Sequence, residues 1–246
     1  MALKASPQDQ ALLLDLQALD TKIAQLQYRS KNLSQHAAIA ELAKNIAALR
    51  IVELEQRGIQ EDIVVELSRL ESDVVVVQAR ITRDTERMQS STSSKDALAF
   101  EHELGLLAKR RFDLEEIQIT VMEKLEDREA ELAITREKIS SLAAESDALA
   151  AERDAEIATI DSEIKHSTAN RSTIAGKVPT DLLALYEKQR SRYGTGASLL
   201  QHGVSKASGV KLLENEMQAI RAAAPDEVIM CASSEGILVR TGESGI

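Results

Sequence analysis

Cysteine occurs once in this 246-residue chain, proline three times and tryptophan not at all, and aromatic residues make up 2% of it. Each shortage excludes something. A single thiol, Cys231, rules out an intramolecular disulfide. So few large rings argue against a rounded globular core and in favour of narrow helical seams, where rings pack poorly. No stretch reaches the 18 consecutive apolar residues that a membrane-spanning helix needs, and no charged-then-apolar leader opens the chain. The expectation is a soluble, cytoplasmic protein with no membrane contact. Gly-rich phosphate loops and nucleophile motifs are missing, and His36, His102, His166 and His202 lie far apart. No enzyme is expected.

What the chain has instead is Ala, Leu, Glu, Asp, Lys, Arg, Ile and Ser, the composition of long helices. Its net charge of −10 is unevenly spread: residues 1–170 carry 21 Lys and Arg against 32 Asp and Glu, whereas residues 171–246 carry 9 against 8. An acidic first part repels nucleic acid, so any phosphate binding belongs to the tail.

Ser6-Pro7-Gln8-Asp9 is a helix start: Ser6 caps, Pro7 fits the first helical position, and Asp9 suits the positive helix end. Leu12, Leu16, Leu19, Ile23, Leu26 and Leu33 follow at spacings of mostly three and four, and the register falters near residues 32–36. From Leu42 to Met88 a strict four-three walk places ten apolar residues in fourteen positions, interrupted by Glu53, Gln56 and Gln60. The serine-rich segment 89–96 breaks it, with Ser94 able to cap a new helix, and Leu104 to Leu149 resume the walk. The seam then slips one residue to Ile157, Ile160 and Ile164. Two long amphipathic helices joined by a short loop predict an antiparallel hairpin in which Val77 faces Leu107 and Leu67 faces residues 114–118. An intermolecular dimer without a hairpin is the alternative. The predicted organisation is a mainly α coiled coil over residues 1–170, with helices at about 7–31, 36–89 and 95–170, and a small C-terminal α/β module over 171–246.

In the tail, Thr180 can cap a short helix ending before Gly194, the segment 194–200 reads as a turn and a strand, and Pro225 stops a second short helix. Residues 228–241 read as a β-hairpin, and 242–246 as a frayed end. Ser205 and Ser208 are separated by two residues, as are Cys231 and Ser234, so the tail has the spacing of a two-knuckle zinc ribbon with one cysteine in four positions. Serine hydroxyls stay protonated at neutral pH, so this set does not hold zinc. Packing among Leu199, Leu200, Leu212, Leu213, Val228, Ile229, Ile237 and Leu238 would have to replace the ion.

These residues, with "SSKDALAFEHEL", "VPTDLLALYEKQR" and the terminal "IRAAAPDEVIMCASSEGILVRT", resemble a family of bacterial coiled-coil proteins that end in a C4-type zinc ribbon and are described as nucleic-acid-binding. The chain departs from the family at Ser205, Ser208 and Ser234 and keeps its residue type at Cys231. Neighbours of these positions differ as well, which favours drift over deliberate replacement. The resemblance implies a degenerate, metal-free ribbon, zinc being a cofactor of the relatives only. It also implies an adaptor or chaperone presenting the ribbon to a protein partner. Direct RNA or DNA binding is the second reading, through Tyr186, Lys188, Arg190, Arg192 and Tyr193, joined by Lys206 and Lys211. A structural spacer is the third.

Overall fold

A computed structural model describes residues 3–245. Helices α1 (Pro7–Lys31), α2 (Ser34–Ser90) and α3 (Ser94–Ala175) are followed by α4 (Thr180–Tyr193). Strands β1 (Ala197–Gln201) and β2 (Val204–Ser205), helix α5 (Glu214–Ala222), strands β3 (Ile229–Met230) and β4 (Ile237–Val239), and a 3-10 turn at Gly242–Ser244 complete the chain. The mainly α hairpin with a small C-terminal sheet is the architecture that the heptads and the tail motifs predict. Among the described residues no helix is long and apolar enough to cross a membrane.

The chain divides into two compact units, one made of residues 35–151 and the other of residues 1–34 with 152–246. The boundary expected at residue 170 is therefore not where the packing divides. The reason is that α1 and the last third of α3 are built into the same core as the tail. α3 also runs to Ala175 rather than 170.

In the first of these units α2 and α3 form the antiparallel hairpin. Every position of the Leu42–Met88 walk is buried or half-buried, including Glu53, Gln56 and Gln60, and Leu107, Leu114, Val121 and Leu132 are buried opposite. Polar pairs record the register: Arg80 with Glu103 close to the loop, then Arg111 donating to Gln78 at 2.8 Å, Gln60 to Glu129 at 3.1 Å, and Arg136 to Glu53 at 2.8 Å. The last three share a midpoint between residues 94 and 95, beyond the loop centre. Leu67 is thus level with the neighbourhood of Val121 rather than with 114–118. The turn itself is capped by Ser93, whose Oγ accepts from the Asp96 N–H at 3.4 Å, while Ser94 is already helical.

The other unit begins as the sequence predicts. Ser6 Oγ accepts from Asp9 N at 3.1 Å, with Pro7 opening α1. Leu26 and Leu33 close on Ile160, flanked by Ile157 and Ile164. α4 starts at Thr180 without a side-chain cap, Pro179 occupying the cap position. The sheet runs β2-β1-β4-β3, with β1 and β4 parallel and both outer pairs antiparallel. One core joins Leu13, Leu16, Leu182, Tyr186, Ala197, Ile237 and Val239; a second joins Leu200, Leu212, Met217, Ile220, Cys231 and Leu238. Leu213 is 65% exposed and takes no part. The C-terminal segment is anchored rather than frayed: Ser244 is fully buried and its Oγ donates to the Leu200 carbonyl at 2.8 Å. Ile246 lies outside the described residues.

Candidate functional site

Two sites within the unit formed by the chain ends gather the polar residues. The first lies where α1, α3 and α4 meet. Asp20, on the α1 face turned inward, is 8% exposed. Arg171 grips it with both oxygens, Nε to Oδ1 at 2.6 Å and a terminal nitrogen to Oδ2 at 3.2 Å, and also binds Glu187. Tyr186 donates its hydroxyl to Asp20 Oδ2 at 2.7 Å, and Arg190 reaches Asp20 at 3.2 Å and Glu187 at 2.8 Å. Two guanidinium groups thus meet two carboxylates, so the charges cancel inside the cluster.

The protonation of these groups follows from that arrangement. Hydrogen bonding to Asp20 raises the Arg171 pKa further despite partial burial. Burial, then the bond to anionic Asp20, pushes the Tyr186 hydroxyl up. Burial would raise Glu187, but hydrogen bonds from Arg171 and Arg190 outweigh it and hold its carboxyl below the ordinary value. Beside the cluster, Gln17 Oε1 accepts from Gly196 N at 2.7 Å and ties α1 to the start of β1. Gly196 lies against the Tyr186 ring so closely that an added Cβ would sit 2.4 Å from it. Only glycine fits there.

The nucleic-acid candidates divide accordingly. Tyr186 is fully buried, so its ring is not available to stack on a base, and Arg190 is spent on Asp20 and Glu187. Spacing alone could not separate them from their neighbours, because α4 turns Tyr186 inward and Lys188 outward. Lys188, Arg192, Tyr193, Lys206 and Lys211 are exposed, and the Arg192 guanidinium stands 5.2 Å from the Tyr193 ring centre.

The second site is the pair of turns. In the first, Gly209 N donates to the Ser205 carbonyl at 2.8 Å, and in the second Glu235 N donates to the Cys231 carbonyl at 2.8 Å. Gly209 and Glu235, the residues that close them, both have positive φ, 68° and 54°. The two turns therefore share one backbone form. Their tips meet: Ser208 Oγ lies 3.0 Å from Ser233 Oγ, which is 3.2 Å from Cys231 Sγ. Ser205, fully buried, lies 2.9 Å from Ser198 Oγ. Burial raises the Cys231 thiol, but hydrogen bonds from Ser205, Ser233 and Ser234 dominate and bring its pKa down to about 7.

All four expected positions thus belong to one turn-pair cluster, although Ser234 Oγ is buried without a partner of regular hydrogen-bond geometry. The donor chemistry does not fit a structural zinc ion, which takes thiolates and imidazoles; three of these four groups are alcohols. Ser198 and Ser233 were not legible as members, since neither holds a knuckle position.

Arg240, also unsuspected in the sequence, clamps the end of α5. Its guanidinium donates to the carbonyls of Ala223 at 3.1 Å, Ala224 at 2.6 Å, Pro225 at 3.2 Å and Glu227 at 2.9 Å. These carbonyls lie at and beyond the helix end, where they lack intrahelical donors.

Comparison with known proteins agrees with this architecture. An uncharacterized protein of Mycobacterium tuberculosis, Rv2229c, is 31% identical, the match covering 97% of this chain and 98% of the relative. A solved structure from Mycobacterium smegmatis is 29% identical with a TM-score of 0.86, covering 97% of this chain and all of the other. CT398 from Chlamydia trachomatis is 18% identical with a TM-score of 0.64, over 95% and 98% of the two chains, a likeness of fold. The model of the CT398-like coiled coil hairpin domain matches residues 16–194. On that match and the heptad hairpin it describes, the chain belongs to the CT398-like coiled-coil hairpin family.

Proposed function

We propose that the chain is a non-enzymatic adaptor, which carries a zinc-ribbon relic without metal in the same chain as a coiled-coil hairpin and offers it to a protein partner. The observation that carries this reading is the locking of the tail to the helices through Asp20, Arg171, Tyr186 and Gln17. A module fastened to α1 and α3 by a partly buried charge cluster around the buried Asp20 is held in a fixed pose, which a binding surface needs. Between α5 and β3 a cleft of about 190 Å³, lined by Leu212, Ala219, Ile229, Met230 and Ala232 among others, supplies an apolar foothold. Affinity capture with the full chain, with and without nuclease, tests the reading. Met230→Glu with Ala219→Glu should lose the partner and nuclease should not; capture that nuclease abolishes would overturn it.

The metal-free part has its own test. The purified protein should carry no stoichiometric zinc. Ser205→Cys, Ser208→Cys and Ser234→Cys together should restore binding of one ion per chain, because the two turns keep matching backbone geometry. Failure of the triple variant to bind zinc under reducing conditions would mean that these are not ancestral ligand positions.

Nucleic-acid binding is the second reading, favoured by the exposed Arg192–Tyr193 pair beside Lys188. If it holds, affinity falls steeply with salt, and Lys188→Ala with Arg192→Ala flattens the slope by about two phosphate contacts. Binding indifferent to both would reject it.

A further inference from the structure

The outward face of α2 carries a second heptad. Opposite the seam that meets α3, positions Ile51, Leu54, Gly58, Glu61, Val65, Ser68, Ser72, Val75, Ala79 and Thr82 recur at three and four residues, and all are exposed. Ile51, Leu54 and Val75 are 62%, 64% and 67% exposed. The outer line of a two-helix coil is ordinarily charged, because nothing but water faces it. Here Glu61 is the one charged residue in the line, and it folds back onto Arg57 at 3.1 Å.

We propose that this stripe is the interface for a second copy of the same chain, packed antiparallel about a two-fold axis between residues 66 and 67. Size complementarity supports the pairing. In that register Ile51 meets Thr82, Leu54 meets Ala79, Val75 meets Gly58 and Val65 meets Ser68, so each larger side chain opposes a smaller one. Seam-flanking charges select the register. Asp62 and Arg69 are exposed and take part in no ion pair among the described residues, and the two-fold sets Asp62 of each copy beside Arg69 of the other. A shift of one heptad either way would set Asp62 on Asp62 or Arg69 on Arg69. A parallel pair would stack Glu61 on Glu61 and Gly58 on Gly58, combining repulsion with a void.

The stripe is about 45 Å long, enough for a contact at the lower end of the specific range, so association belongs in the micromolar regime. Sedimentation of the full chain from about 1 to about 500 μM should show monomer giving way to dimer. Leu54→Glu with Val75→Glu should abolish the dimer while the helical circular dichroism stays unchanged. Asp62→Arg or Arg69→Asp alone should weaken it about 10-fold or more, and the two together should restore it, because each charge pair occurs twice. Gly58→Cys with Val75→Cys should crosslink between copies, and an added Cβ at Gly58 meets nothing within 4 Å. A monomer at the highest concentration, a dimer that ignores the Glu substitutions or the charge exchange, or ready self-crosslinking of Ile51→Cys alone would each overturn the proposal.

Discussion

The coil of residues 35–151 and the unit formed by residues 3–34 with 152–245 are stabilised in different ways. Along the coil, few seam residues are fully buried; most are half-exposed, and burial accumulates over many similar layers. In the other unit, a handful of residues from remote stretches are fully buried: Leu13 and Leu16 from α1, Leu182 and Tyr186 from α4, and Ile237 and Val239 from β4. A layer lost from the coil is one among many. A group lost from the junction takes hydrogen bonds from several partners at once, the fully buried Tyr186 among them.

That contrast is sharpest at Asp20. Asp20→Ala should cost about 2–3 kcal/mol in urea unfolding, because the fully buried Tyr186 loses its charged acceptor and Arg171 the two-pronged one of its two carboxylate partners. An effect below 1 kcal/mol, the value of an ordinary surface pair, would place the junction on the same footing as the coil.

Gly196→Ala should cost about 1–3 kcal/mol, since its methyl would have to displace the Tyr186 ring. Gly58→Ala on α2, where the added carbon meets open space, should instead leave the coil unchanged or stabilise it by about 0.5–1 kcal/mol. The same exchange in the two units thus separates close packing from helix propensity.

The third prediction concerns pH. The Cys231 pKa is depressed to about 7 in the folded protein, so folding favours the thiolate. Its contribution is therefore complete above the unfolded thiol's pKa and is lost as pH falls through about 7. Stability should rise between pH 7 and 9 by on the order of 1–2 kcal/mol, and Cys231→Ala should flatten that rise. The ultraviolet absorbance of the Cys231 thiolate in the native state, measured against Cys231→Ala, should titrate with a midpoint near 7. A midpoint at the ordinary thiol value would remove the serine hydroxyls as its cause.

The coil offers a second small effect beside that at Gly58. Gln56 occupies a seam position with Oε1 buried and unpaired, so Gln56→Leu should stabilise by about 1 kcal/mol, seen as a higher melting temperature. A loss of stability would show that this polar layer is matched in solution.

The coil was legible because its determinants are local. A period of 3.5 residues, a cap at Ser6 and a run of serines specify helices, seam and loop without knowledge of any distant contact. Even the polar seam positions Glu53, Gln56 and Gln60 obeyed the period. Pairing register was less legible, since the midpoint depends on how long side chains such as Arg111 and Arg136 reach across. In the tail, the turns at Ser205 and Cys231 could be recognised from spacing, and β1, α5 and the hairpin from their breakers. What spacing could not say was which polar side chains turn inward.

By itself, then, the sequence determined the two long amphipathic helices, the place where they fold back and, through its single cysteine, the absence of an intramolecular disulfide. Each of these rests on residues within a few turns of one another or on side-chain chemistry alone. Tertiary structure decided that Tyr186 and Arg190 serve Asp20 rather than solvent, that α1 and the end of α3 share a core with the tail, that Arg240 closes α5, and that Ser244 anchors the chain end. Those outcomes depend on segments up to 215 residues apart, as where buried Gln10 of α1 donates to the Pro225 carbonyl, and burial creates partners that no local pattern encodes.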